Sequence, residues 1–275
     1  MDWNNIESNT INDYIENATF KVSDEYYSDF LEVSETISEL SYLTHDYFRY
    51  YGKFPSKVAK YIIDTMVEKK VINSQNDFIF DNYNGSGTSL VEAKIAGFES
   101  GGIDINPFGV LASNVKTRNY DISRLQSLFA DLIAKIKAFY SVDGQQSLFS
   151  LLSTYKKVPS GIAEVNKQIY IDFPDIDKWF DLDVITELST IKYCLLQMPY
   201  DEYREFFALG FFSIIRRVSK AHDAEVRPHV NSKKRKRSAI AAYEKKITEM
   251  ITTMQSWNTV TLESVNSRTV LCDNS

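Results

Sequence analysis

One stretch constrains the fold more than any other. Asp77-Phe-Ile-Phe-Asp81 is a short apolar run ending in a carboxylate, and Asn82-Tyr-Asn-Gly-Ser-Gly-Thr88 is rich in turn formers. Ser89 to Ala96 carries Leu90, Ala93 and Ile95 at helical spacing and is closed by Gly97. Gly101-Gly-Ile-Asp-Ile105 follows as a second strand, ended by a turn at Asn106-Pro107-Phe108. Strand, glycine loop, helix, strand is a βαβ unit, which needs a parallel sheet and a covering helix layer. Upstream, Pro55–Lys70 reads as a helix with Pro55 near its first turn and Val58, Ile62, Ile63 and Met66 on one face.

Downstream, the period is mostly helical from about Asp121 to Trp257. Leu125, Leu128, Phe129, Leu132, Ile133 and Ile136 form one stripe, and Val184, Ile185, Leu188, Ile191 and Leu195 a second. Tyr203–Ser219 is apolar nearly all round, the pattern of a buried helix, and Ile240, Tyr243, Ile247, Met250, Met254 and Trp257 mark a last amphipathic one. Thr259-Val-Thr-Leu262 and Thr269-Val-Leu-Cys-Asp273 read as returning strands, the second ending in a carboxylate.

Charge is unevenly spread. The net charge is −6, yet residues 1–40 hold ten Asp/Glu against one Lys and read as an acidic helical segment. Residues 204–246 hold twelve Lys/Arg against four Asp/Glu. That pattern puts a basic face on an acidic molecule. Two cysteines, Cys194 and Cys272, exclude a disulfide framework and a cysteine-rich zinc site and suit a reducing, cytoplasmic setting. His45, His222 and His229 lack metal-ligand spacing, so no metal is expected. The longest apolar stretch, Phe206 to Ile215, is about half a membrane span, and the N-terminus has no secretory character, so no membrane association is expected.

The chemistry concentrates in the loop. Gly85 and Gly87 let the backbone approach a ligand, and the helix behind them offers free N–H groups. Asp104, ending the next strand, stands where a carboxylate commonly accepts hydrogen bonds from ribose hydroxyls. Leu90 takes the third glycine position of the dinucleotide fingerprint, which disfavours a pyrophosphate and leaves a nucleoside ligand such as S-adenosylmethionine. On spacing alone, a glycine-tightened turn in some other α/β protein stays open.

Three segments in order sharpen this: His45-Asp-Tyr-Phe-Arg-Tyr-Tyr-Gly-Lys-Phe-Pro55, Asp81-Asn-Tyr-Asn-Gly-Ser-Gly-Thr88 and Gly102-Ile-Asp-Ile-Asn-Pro107. Together they resemble the bacterial DNA amino-methyltransferases, S-adenosylmethionine-dependent enzymes that methylate adenine N6 or cytosine N4. The resemblance covers roughly residues 42–275. It implies a Rossmann-like α/β core with a partial sheet, at 41–118 and 258–275, interrupted by a large helical insertion at 119–257. It also implies that Lys53, Phe54 and Pro55 flank the methionine part of the cofactor. Asp81, Tyr83, Gly85, Gly87 and Thr88 would form the cofactor loop, Asp104 would hold the ribose and Asp273 would face the adenine. Phe173–Phe180 and Arg216-Arg-Val-Ser219 look like the helices that some members insert between the second and third strands. The loop departs from the family pattern at Asn82 and Asn84, which stand for Pro and Cys, and at Tyr83, which stands for Phe.

The family also carries an (Asp/Asn/Ser)-Pro-Pro-(Tyr/Phe) segment that accepts hydrogen bonds from the target amine and stacks on the flipped base. None of the six prolines here adjoins another. In the family order that segment would follow Asp273, and the sequence given ends at Ser275. The expectation is therefore a cofactor-binding subunit with no catalytic residue of its own, completed by a second methyltransferase subunit, in restriction–modification or phage defence. A non-catalytic DNA-binding or assembly subunit is the alternative, and a truncated product a third reading. Arg216, Arg217, Lys220, Arg227, Lys233, Lys234, Arg235, Lys236 and Arg237 are the candidate contacts to DNA phosphates. A solvated basic loop is the plainer reading of that run.

Overall fold

The structure is a computed structural model that describes residues 41–140, 171, 173–223 and 227–273. The acidic segment 1–40 lies outside the described residues. Ser41–Ser275 forms one compact unit. In chain order it contains a 3-10 turn (Leu43–Asp46), α1 (Ser56–Glu68), β1 (Ile79–Asp81), α2 (Thr88–Ile95), β2 (Ser100–Asp104) and α3 (Pro107–Thr117). Then follow α4 (Ile122–Tyr140), the short α5 (Ile176–Trp179), α6 (Leu182–Leu196), α7 (Glu202–Val218), α8 (Ala239–Val260) and β3 (Ser267–Leu271). No helix among the described residues is long and apolar enough to cross a membrane.

The three strands are parallel in the order β1-β2-β3, with Asp81 opposite Gly102 and Gly102 opposite Thr269. This is a small α/β sheet, compatible with a methyltransferase fold. Helices α2 and α3 cover the face carrying Ser100, Gly102 and Thr269, all buried or nearly so. Ser113 of α3 shares a 2.7 Å hydrogen bond with Thr269, and Asn114 brackets the same residue, donating to its carbonyl and accepting from its N–H. The other face carries Phe78, Phe80 and Val270, which are 57%, 59% and 41% exposed, and no helix covers it among the described residues. The outer edge of β1 is likewise unpaired there.

The helical stripes pack as their periodicity demands. Leu125, Leu132 and Ile136 of α4, the five apolar positions of α6 and the six of α8 are all buried, and they merge with Val91, Ala112 and Val115 into one core. The capping is local: Asp201 accepts from Tyr203 and Arg204 N–H to start α7, and Ser238 accepts from Ala241 N–H to start α8. Gly97, at φ +83°, ends α2 with a bond from Phe98 N–H to the Ala93 carbonyl.

Three expectations need correction. Thr259–Leu262 is not a strand: α8 continues through Val260, and Thr261 caps it. Trp257, fully buried, keeps the helical register, and the Asn119 amide donates to both the Asn258 side chain and the Thr261 hydroxyl. Packing and side-chain bonding here outweigh the β-branched propensity. Asn106-Pro107 is not a simple turn but the start of α3, with the Asn106 side chain accepting from Phe108 N–H and Pro107 in the first turn. On α1 the buried face is Ser56, Ala59 and Ile63, while Ile62 points to solvent at 40% exposure.

The α7–α8 contact yields a test. A Cβ on Gly210 would lie 2.2 Å from the Ile247 Cδ1 atom. Gly210→Ala should therefore destabilise the fold by about 1–3 kcal/mol, although alanine is the better helix former. Ile247→Val, which removes that methyl, should recover much of the loss in a double-mutant cycle. Urea denaturation of the four proteins measures the coupling, and strict additivity would contradict the contact.

Candidate functional site

The loop between β1 and α2 is held from four directions. The Asp104 carboxylate accepts from Gly85 N–H at 2.6 Å with one oxygen and from Asn106 N–H at 2.8 Å with the other. Asn84 N–H donates to the Ile103 carbonyl, and the buried Asn84 amide donates to the Thr269 hydroxyl at 3.0 Å. Asp81 closes an Asx turn by accepting from Tyr83 N–H at 2.9 Å. Lys116, fully buried, donates to the Ser86 carbonyl at 2.8 Å and to its hydroxyl at 3.1 Å. Asn84, where the family pattern has Cys, thus pegs the loop to β3.

Two glycines are required by this closeness. Gly87 has φ +80°, and a Cβ there would lie 2.3 Å from the Ser113 hydroxyl. Gly102 faces Asn84, whose Cβ would be 2.8 Å away. Any side chain at either position would push the loop off β2 and α3.

Beneath the loop sits a buried polar cluster that sequence reasoning does not single out. Glu92, in the middle of α2, accepts from the Tyr42 hydroxyl and bonds His45 Nε2 at 2.6 Å. Burial pushes the His45 imidazole from its usual 6.5 down to about 4, so it is neutral near pH 7 and donates to Glu92 as a hydrogen bond rather than an ion pair. Lys53 donates to the His45 carbonyl at 3.1 Å. Burial lowers the Lys53 pKa and holds that of Lys116 well below the ordinary lysine value. The available signal was a Glu set among Leu90, Val91 and Ala93, all fully buried.

Above the loop is a cavity of about 280 Å³, at the carboxyl ends of the strands. Lys53, Phe54, Asp81, Tyr83, Gly85 and Thr88 line it, together with Tyr50, which sequence reasoning passed over. Pro55 sits beside it as the residue preceding α1, and Gly87 forms the turn into α2. Asp104 is not in its wall but holds the loop that is. Asp273 lies past β3, where Cys272 N–H donates to the Asp104 carbonyl and keeps this strand end against β2. The wall offers an ammonium, a carboxylate, the uncapped N-terminus of α2 and flat rings, of which Tyr83 is 76% exposed. Such a mixed set can hold a ligand with a zwitterionic end and a flat ring.

The basic segment is only partly available. Lys220 pairs with Asp181 at 3.0 Å, Lys236 with Asp183 at 2.5 Å, and Arg237 with Asp223 at 3.3 Å. Lys234, with a side chain only 7% exposed, pairs with Asp223 and donates to the carbonyls of Arg216 and Ala221. Arg216 bonds the Tyr51 hydroxyl and the His222 carbonyl. Arg217, Arg227, Lys233 and Arg235 are exposed and have no acidic partner among the described residues.

Over 183 residues, 66% of its length, the chain is 30% identical to the Type II methyltransferase M.MvaI of Kocuria varians, covering 36% of that protein. Over 174 residues, 59% of its length, it is 29% identical to the Type II methyltransferase M.MjaII of Methanocaldococcus jannaschii, covering 31%. The chain thus spans about a third of the length of the curated relatives it matches. No family model matches, and no solved structure matches significantly.

The buried histidine gives the site a pH signature. The unfolded chain takes up a proton at His45 near 6.5, whereas the folded chain resists it down to about 4. Stability from this group is full above pH 6.5 and falls as the pH drops towards 4, by on the order of 3 kcal/mol in all. His45→Gln, which retains an amide donor, should flatten that fall in urea midpoints taken between pH 7.5 and 5. An unchanged pH profile would contradict the assignment.

Proposed function

We propose that this chain is the S-adenosylmethionine-binding subunit of a DNA amino-methyltransferase acting on adenine N6 or cytosine N4. The observation that carries the reading is the loop cavity: Lys53, Phe54, Asp81, Tyr83, Gly85 and Thr88, drawn from two separate sequence segments, line one space at the carboxyl end of a parallel sheet. That is where α/β sheets bind ligands. The residues fit the cofactor in kind. Lys53 and the α2 N-terminus suit its carboxylate, Asp81 its amine, and Tyr83 an aromatic moiety. Asp104, which lies outside the cavity wall, acts on the cofactor by holding the loop that forms that wall. When bound, the cofactor supplies an electrophilic methyl group. This chain binds and orients it.

The acceptor side of the reaction we assign to a second polypeptide. An exocyclic amine is a poor nucleophile until acceptors polarise its N–H bonds, and none of the 275 residues forms a Pro-Pro segment that would do so. The face bearing Phe78, Phe80 and Val270 and the outer edge of β1, both uncovered among the described residues, are surfaces that soluble α/β proteins cover. A partner carrying further strands of the sheet and the (Asp/Asn/Ser)-Pro-Pro-(Tyr/Phe) segment would cover both. We place this chain in restriction–modification or phage defence, a reading supported by the relatives' designation as Type II methyltransferases.

Calorimetry with S-adenosylmethionine tests the cofactor reading. Tyr83→Ala, at an exposed ring, should weaken binding by about 1–3 kcal/mol without altering stability. Asp104→Ala should weaken it by about 1–3 kcal/mol, since it releases the two backbone N–H groups that hold the loop. Equal affinity in both variants would remove the assignment.

For DNA, the free cations carry the expectation. Replacing Lys233 and Arg235 with Ala should lower the slope of log K against log salt by about 2. Lys220→Ala and Lys236→Ala, whose charges are already paired, should change it little. Salt titrations of duplex binding distinguish the two pairs, and identical slopes would overturn the assignment of contacts.

A further inference from the structure

A second cavity, of about 770 Å³, lies between the chain ahead of α1, the end of β2 and the last turns of α7. Its wall is aromatic. Tyr51, Phe108 and Phe173 line it at 40%, 47% and 40% exposure, with Trp179 and Phe212 beside them. Phe108 and Phe212 meet edge-to-face at 5.0 Å. The guanidinium groups of Arg49 and Arg216 each lie 5.2 Å from the Tyr51 ring centre. Arg217 lines the same space with no acidic partner among the described residues. Lys234 ties the basic segment to this wall through the carbonyls of Arg216 and Ala221.

Resting on the nucleic-acid reading above, we propose that this cavity grips one unstacked nucleobase of a DNA strand, with a flanking phosphate on Arg217, as an anchor separate from the methyl acceptor. Aromatic faces stack on any base, and arginines beside them hold the backbone. The polar groups of the wall argue for grip rather than reaction. The Asn106 side chain accepts from Phe108 N–H and donates to the Tyr50 hydroxyl. The Asp223 carboxylate is taken by Lys234 and Arg237. The hydroxyls of Ser213 and Ser219 donate to carbonyls of their own helix. These side-chain acceptors are all engaged in holding the fold, which suits a base that is held rather than modified. Tyr50 is common to the two cavities, with its ring 3.2 Å from where a Gly85 Cβ would stand. The anchored nucleotide thus lies alongside the cofactor cavity.

The test uses the full chain and a single-stranded oligothymidylate. Its addition should quench Trp179 emission, and Trp179→Phe should abolish that signal. Phe173→Ala and Arg217→Ala alter exposed side chains and should each weaken oligonucleotide binding roughly five- to fiftyfold, leaving S-adenosylmethionine affinity and the thermal midpoint unchanged. Wild-type affinity for the oligonucleotide in both variants would overturn the proposal. So would variants that keep the oligonucleotide but lose a copurifying polypeptide, which would make the cavity a protein-docking site. A wild-type chain that binds the cofactor and no oligonucleotide would defeat the anchor alone. One that binds the oligonucleotide and no cofactor would leave the anchor standing and defeat the cofactor reading.

Discussion

Everything near the loop cavity depends on how tightly residues 82–87 are drawn onto β2. The Asp104 carboxylate does most of this, because a charged acceptor bonded to two backbone N–H groups, at 2.6 and 2.8 Å, fixes the loop from outside the cavity. Asn84 fixes it from the β3 side and Lys116 from α3. With the loop so placed, Gly85 meets Tyr50, and α2 starts with its N-terminus uncapped by any side chain. The resulting cavity is largely pre-formed, which lowers the ordering cost of binding a ligand.

This arrangement requires polar groups in places that would otherwise be apolar. Glu92, His45 and Lys116 are each at most 2% exposed. A half-satisfied buried network costs stability, and Glu92 Oε2 and His45 Nδ1 have no hydrogen-bond partner among the described residues. The cluster joins the segment ending in Lys53 to α2 and so sets two walls of the cavity relative to each other. A purely apolar contact would bury the same area without fixing register, which directional hydrogen bonds do.

The helices were legible because long stripes at one period leave few alternatives. All of the apolar positions read on α6 and α8 are buried. The βαβ unit was legible from Gly97, the loop glycines and the carboxylates that end its strands. Helix α3 was missed because Asn106-Pro107 signals a turn as readily as a capped helix start, and its core residues Ala112 and Val115 are small and few. Thr259–Leu262 misled because β-branched residues at a helix end obey their neighbours' packing. Around the loop cavity, Asp81, Gly85 and Gly87 stood out from their place in the βαβ unit and Lys53, Phe54 and Pro55 only through the family resemblance, whereas the Glu92–His45 pair joins positions 47 apart and carries no local signal. The pairing of Lys220, Lys236 and Arg237 with aspartates was equally invisible, since charge counts along the chain take no account of spatial neighbours.

Among the described residues, one side of the sheet and the outer edge of β1 have no cover. Phe78, Phe80 and Val270 lie on that face, and β1 offers a free edge. Both are explained if the cofactor-binding half and the amine-polarising half of the enzyme are separate polypeptides. The most direct measurement is transfer of labelled methyl from S-adenosylmethionine to DNA by the purified 275-residue chain, alone and with a second polypeptide bearing the (Asp/Asn/Ser)-Pro-Pro-(Tyr/Phe) segment. The account predicts no transfer by the chain alone and transfer by the pair, lost when the first residue of that segment is changed to Ala. Transfer by the chain alone, with no partner detectable by mass spectrometry, would contradict it.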